Sequence, residues 1–235
     1  MKGLDVGDLS VAMGVYAAEM SGNRALAELM RQHPGLQLRV QLRHWRAVER
    51  VVRDRQADIG FGEIGHLTDA PGLRVEPVGR HEAVFFCRPG HPLLARDRIS
   101  AEDLDGYPFA GAPIPPRAAR LFPRNCRIDV TSGDLIPPVL VEDLTAMRTL
   151  VATTDGFGAA TPVQLEPWLR RGDLAVVPFR ASWLRLDYGF IFLASRSLSP
   201  AAVAFTALVR DLERGVEERN RDLADELLRG VEPRA

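Results

Sequence analysis

Gly60-Phe-Gly62-Glu-Ile-Gly65 has the spacing of a dinucleotide-binding fingerprint. That chemistry needs a helix to begin at the glycines, so that its first N–H groups meet a pyrophosphate. Here His66-Leu-Thr-Asp-Ala-Pro71-Gly72 follows, which is turn chemistry, and the run sits on the third strand rather than the first. It reads instead as small residues at a strand end, where the sheet lies close to something, a ligand being one candidate. There is no GxSxG, HExxH, P-loop or pair of histidines four apart, so no nucleophile or metal motif stands out and no cofactor is expected. His33 and His91 precede prolines, where a capping or solvated role fits, and His44, His66 and His81 stand alone. Glu142 and Asp143 are adjacent, so on a helix they diverge and cannot share a proton; Asp143 reads as a helix N-cap. Cys87 and Cys126 lack CxxC spacing, and a reducing cytoplasm is the expected setting.

Arg43-His44-Trp45-Arg46 stands apart, because a tryptophan flanked by polar and cationic residues follows a strand. In open parallel sheets ligands bind at the carboxyl ends of strands. Trp45 is then either part of a ligand site or a ring packed on the rim of the sheet. Three strand ends carry the same argument: Gly14-Val15-Tyr16, His44-Trp45 and Gly62-Glu63.

The elements that position these ends alternate. Leu9 to Met13 reads as a strand, and Tyr16 to Gln32 as a helix that Gly22 weakens. Leu36 to Leu42 alternates apolar and polar residues like a strand with one buried face. Arg46 to Gln56 reads as a helix and Asp58 to Phe61 as a strand. Such an order predicts a parallel sheet flanked by helices. Strand-like pieces follow in Leu73 to Cys87, Phe109 to Gly111, Arg127 to Thr131, Leu174 to Phe179 and Tyr188 to Ala194. Ser100 to Asp103 carries a capping box, and Pro113 to Pro116 reads as a loop. Asp143 to Val151 reads as a helix, Thr154 to Pro162 as a Gly-rich stretch. The last helix opens at Ser199-Pro200 and runs through Leu212; beyond Gly215 the chain is charged and reads as helical, with Leu223, Leu227 and Leu228 as a thin apolar stripe.

The 235 residues are 46% hydrophobic and 26% charged, which allows one large domain or two small ones with real cores. Thirty basic and 31 acidic side chains leave a net charge of −1, which argues against nucleic-acid binding by this chain alone. Lys2 is the only lysine, a bias toward arginine that fits GC-rich coding better than a binding code. The start lacks a secretory apolar run, and no stretch approaches the about 20 apolar residues of a membrane helix, so no membrane partner is expected.

Taken in order, these segments resemble the effector-binding domain of LysR-type transcriptional regulators. The matching stretches are Gly7-Asp-Leu-Ser-Val11, Leu29-Met-Arg-Gln-His-Pro-Gly-Leu-Gln-Leu38 and Asp58-Ile-Gly-Phe-Gly62. They continue with Gly90-His-Pro-Leu93, Ile99-Ser-Ala-Glu-Asp-Leu104, Leu150-Val151 with Gly156-Phe-Gly158, and Ser199-Pro-Ala-Ala-Val-Ala-Phe205. The resemblance implies an α/β fold of two Rossmann-like subdomains of the type II periplasmic-binding-protein kind, with a small effector in an interlobe cleft. One subdomain would comprise residues 9–83 and 180–235, the other 84–179. Effector contacts would fall at Val15 and Tyr16, at His44 and Trp45, at Glu63, at Ala112, Pro113 and Ile114, and at Asp143. A homodimer or tetramer is implied. The family's winged helix-turn-helix is missing from the pattern, and residues 3–8 look like the tail of its connector, so DNA contact is expected only through that missing part. Where some members place an arginine, this chain has Glu63, and a buried glutamate favours a cationic or hydrogen-bond-donating effector over an anion. Two rivals share the fold: a transporter's solute receptor, which needs an export signal, and a dehydratase-like enzyme, which needs a catalytic Thr or acid.

Overall fold

The computed structural model describes residues 7–67, 70–116, 125–231 and 233–234; most of the residues read above as a connector remnant, 3–6, lie outside them. In chain order the elements are β1 (Gly7–Gly14), α1 (Val15–Ala17) continuing through a π turn (Ala18–Gly22) into α2 (Asn23–Gln32), β2 (Leu36–Arg43), α3 (Trp45–Arg53), β3 (Ile59–Glu63) and β4 (Leu73–Glu82). Then come β5 (Val84–Cys87), α4 (Ala101–Leu104), β6 (Phe109–Gly111), β7 (Arg127–Ile128), β8 (Leu135–Ile136), β9 (Val139–Leu140) and α5 (Leu144–Thr153). The chain closes with β10 (Phe157–Ala160), α6 (Pro162–Arg171), β11 (Ala175–Val176), β12 (Arg180–Ala181), β13 (Arg185–Leu193), α7 (Pro200–Leu227) and β14 (Pro233–Arg234), which pairs with β12. It forms two compact units, 1–80 with 186–219 and 81–185 with 220–235. Residues from Asn220 on go with the second unit, whereas the sequence reading places them with the first.

The first unit is built on a five-stranded sheet ordered β2-β1-β3-β13-β4. β1 runs parallel to β2 and β3, and β13 antiparallel to β3. Its main core joins Leu9, Val11 and Met13 of β1 to Leu26 and Leu29 of α2 and to Phe61, Phe190, Phe192 and Phe205. Tyr188, also buried there, donates its hydroxyl to the buried Glu213 carboxylate at 3.3 Å, and burial with that neighbouring charge pushes the phenol far up. Gly22 has a packing reason: a Cβ there would lie 2.5 Å from Met13 Sδ and 3.4 Å from Phe61. β2 departs from the half-buried strand expected. It is an edge strand with no fully buried residue, and although Leu36 and Leu38 pack on the core, Val40 and Leu42 on the same face are about half exposed. β4 is the opposite edge and carries Pro77, which an edge tolerates because no ladder donor is needed there.

The second unit holds a five-stranded sheet ordered β11-β5-β10-β6-β9. Phe85, Phe109, Phe157 and Phe179 fill its core, with Phe157 edge-on to Phe85 at 5.4 Å. The Ser100 capping box is present, with Asp103 Oδ2 accepting the Ser100 N–H at 2.8 Å. His91 caps: its Nδ1 accepts the Leu93 N–H at 3.1 Å, which leaves Nε2 to donate to Asp155 O at 3.0 Å. The Gly-rich stretch Thr154 to Pro162 is largely regular structure. It contains β10, followed by α6, a helix absent from the sequence reading. α7 is one helix of 28 residues that continues through Gly215.

The glycine fingerprint has its explanation in the first unit. β3 ends at Glu63 in a turn rather than a helix, which removes the nucleotide reading. A Cβ on Gly60 would lie 2.9 Å from Val48 Cγ1, 3.0 Å from Val52 Cγ2 and 3.1 Å from Ile191 Cβ. What the sheet lies close to is α3. Gly60→Ala should therefore cost about 1–3 kcal/mol by overpacking, measured as a lower urea midpoint with an unchanged slope; an unchanged midpoint would contradict this packing.

Candidate functional site

Register brings three expected contact segments side by side. Gly14, the last residue of β1, pairs with Arg43, the last of β2, and Met13 pairs with Phe61 on β3. Because these strands are parallel, Val15-Tyr16, His44-Trp45 and Glu63 all leave the sheet at its carboxyl edge. The closeness of the backbones is direct: a Cβ on Gly62 would lie 3.4 Å from Gly14 N. Val15 and Tyr16 open α1 and are half-buried. His44 is the N-cap residue of α3 and Trp45 its first residue.

Trp45 anchors an aromatic and charged cluster. The Arg46 guanidinium lies 4.5 Å over its ring. The rings of His66 and His44 lie 4.7 and 5.2 Å from it, His66 edge-on. His66 Nε2 is 3.7 Å from Glu49 Oε2, and the other oxygen of Glu49 receives Arg53 Nε at 2.6 Å. His66 was read from sequence as isolated. Its signal was its position, in the turn directly after β3. A tryptophan face backed by a guanidinium, with imidazoles at its side, can hold an aromatic or a polarised flat group.

Glu63 is 9% exposed and has structural duties. Its Oε1 accepts the Gly65 N–H at 3.0 Å and its Oε2 the Asp187 N–H at 3.2 Å, so the carboxylate holds the turn after β3 against β13. In the second unit, β6 runs parallel to β9 and the Val141 N–H donates to Gly111 O at 3.0 Å. The segments after these two strands, Ala112-Pro113 and Val141 to Asp143, are thereby neighbours. Asp143 is the N-cap of α5, its Oδ1 accepting the Ala146 N–H at 2.7 Å. Ile114 exchanges backbone hydrogen bonds with Leu135 and buries its side chain in the core. A further strand end was missed: β10, also parallel to β6, leads into Thr161, a fully buried capping residue of α6. The signal was there in Thr161-Pro162-Val-Gln164, a capping box with proline at the first helical position.

Among the described residues no group of three or more His, Cys, Asp or Glu could hold a metal ion. Burial pushes the Cys87 thiol up to about 12 and the Cys126 thiol up to about 11, away from the thiolate a redox-active cysteine needs. No helix among the described residues is long and apolar enough to cross a membrane. Glu63→Ala should lower the melting temperature by the equivalent of about 1–3 kcal/mol, because it strands two backbone N–H groups, while Glu63→Gln, which keeps one acceptor oxygen, should lose less. Equal losses in a thermal-melt comparison would remove the carboxylate from this role.

The family model described as LysR substrate binding domain matches residues 2–214. The SDS degradation transcriptional activation protein of Pseudomonas sp. (strain ATCC 19151) is 30% identical over 212 residues, covering 88% of this chain and 68% of that protein. The HTH-type transcriptional regulator GbpR of Azospirillum brasilense is 26% identical over 188 residues, covering 79% of this chain and 54% of the relative. Among solved structures, the regulatory domain of MetR, a LysR family regulator from N. meningitidis, superposes with a TM-score of 0.68 at 18% identity, covering 90% of this chain and 95% of that one. A transcriptional regulator structure from Vibrio parahaemolyticus gives 0.69 at 19% identity, covering 92% and 97%. Both carry the fold.

Proposed function

The chain belongs to the LysR substrate-binding-domain family and is an effector-sensing regulatory domain; from that premise we propose that it recognises its small-molecule effector through the carboxyl edge of the β2-β1-β3 sheet. The observation that carries this reading is the shared register that gathers Val15, Tyr16, His44, Trp45 and Glu63 at one edge. Tyr16 and Trp45 supply aromatic surface, and His66 joins them beside Trp45. Ala112, Pro113 and Asp143 are the corresponding strand-end contacts of the second unit. Glu63 acts by excluding anions through its buried charge while its oxygens hold the backbone, so the preferred effector is cationic or donates hydrogen bonds. No bond is made or broken. The effector acts by binding one conformation of the regulator more tightly than another, and the population shift passes to the DNA-contacting part of the longer regulator.

A transporter's solute receptor, the alternative with this fold, is not favoured, since the named relatives are transcriptional regulators. The partner is also a second copy of this chain, forming a homodimer or a tetramer. What supports the pairing surface is edge strand β2, where Val40 is 45% and Leu42 50% exposed, on the face that packs toward α2, whose Met30 is 58% exposed. An apolar row on an open strand edge invites pairing.

A thermal-shift screen of amines, amino acids and aromatic acids should find compounds that raise the melting temperature, with the rise abolished in Trp45→Ala. A rise that survives Trp45→Ala would move recognition away from this edge. Leu42→Arg should weaken self-association at least about tenfold in sedimentation velocity while leaving the melt of the monomer intact; an unchanged sedimentation coefficient would exclude β2 as the pairing edge.

A further inference from the structure

Three times the chain passes from one compact unit to the other: after Arg80 in β4, after Arg185 in β13 and after Arg219 in α7. The third passage belongs to the part of α7 that lies beyond the family match, which ends at residue 214. By its mixed charge this extension reads as a solvated face or a partner helix; in the second unit it also makes buried contacts. Asn220, 2% exposed, donates its Nδ2 to Glu82 O at 2.9 Å and accepts the Val163 N–H on its Oδ1 at 3.3 Å. Glu82 is the last residue of β4, two residues past the first passage, and Val163 lies in the first turn of α6.

Five residues on from Asn220, Asp225 Oδ1 accepts Arg180 Nη2 at 2.9 Å. Arg180 also holds Glu82 by two parallel bonds of 2.9 and 3.0 Å. It stands on β12, shortly before the second passage. On the same stretch of α7 and just past it, Leu223, Ala224 and Leu228 are buried. The Ala83 N–H donates to Leu184 O at 2.9 Å, tying the first and second passages directly. All three passages therefore meet, on the side of the second unit, in one small group of residues: Glu82, Arg180, Asn220 and Asp225.

We infer that the extension of α7 from Asn220 is a conformational brace, which fixes the segments flanking the three passages and so sets how readily they yield. An isolated bidentate pair near the surface contributes little. Asn220 is different, because it is buried and satisfies two backbone groups that have their carbonyl or N–H turned toward it. The regulatory consequence rests on the effector-sensing reading: the looser the brace, the smaller the resistance an effector must overcome to shift the conformational equilibrium.

The test is hydrogen exchange by mass spectrometry on the full chain without any effector. In Asn220→Ala, peptides covering residues 161–165 should exchange about tenfold faster or more, since the Val163 N–H loses its acceptor, and peptides covering 80–84 should also speed up, because the strand end is no longer held through Glu82 O. Peptides of β1, β2 and β3 should keep their wild-type rates. Asp225→Asn should speed exchange over 180–186 by about threefold, and about 1 M salt should produce the same change in the wild type. Unchanged rates in these peptides would overturn the brace, and so would a uniform rise through the whole chain, which is plain loss of stability. Should Asn220→Ala not fold, Asp225→Asn decides by the same criterion, because its carboxylate is 60% exposed and carries only the outer ion pair. The ligand screen is separate: a chain that shows the exchange pattern and binds no compound sinks the sensing reading and leaves the brace standing.

Discussion

A lane without side chains governs the first unit. Gly60 and Gly62 on β3, with Gly14 facing them from β1, leave room for α3 to settle on the sheet through Val48 and Val52. Any side chain at Gly60 lifts the helix, and its first residue, Trp45, moves with it. The aromatic cluster of Trp45, His44, His66 and Arg46 is held at the sheet edge by a contact one helical turn away and entirely apolar. Packing of this kind has little slack, since interiors are close-packed.

The second unit reaches a related arrangement by different means. Its strands are short, and its helix starts are secured by side chains: Ser100 with Asp103, Asp143 with the Ala146 N–H, Thr161 with Gln164. Asp143 illustrates the limit of reading a carboxylate as a ligand contact. Its oxygen is already engaged by the helix it caps, as the oxygens of Glu63 are by Gly65 and Asp187. Whatever these residues offer an effector is field and shape more than a free hydrogen-bonding atom.

The α/β alternation, the parallel pairing of the first strands and the caps at Ser100, Asp143 and Ser199 were legible, because local spacing encodes them. The parts that were not legible share a physical reason. Alternation in Leu36 to Leu42 says which residues share a face and nothing about whether that face is covered, so an edge strand looked half-buried. Thr154 to Pro162 stood out only as Gly-rich, although proline at the first turn and a capping box favour the helix that follows. The helical spacing beyond Gly215 was legible, and α7 runs through that glycine: a Cβ there would meet nothing within 4 Å, and burial on either side along α7 outweighs the about 1 kcal/mol a helical glycine costs. The cluster around Trp45 was half visible: the tryptophan drew attention, but His66 is brought to it only by the turn after β3.

The two margins of the first sheet are unlike. β2 offers an unbroken row of backbone donors and acceptors beside apolar side chains, while β4 carries Pro77, which withholds a donor and thickens its rim. A ribbon with two receptive borders can add neighbours without end, as fibrils do. With one border blunted, any joining through this sheet would be used up once two copies met, so growth by that route would stop at a closed pair.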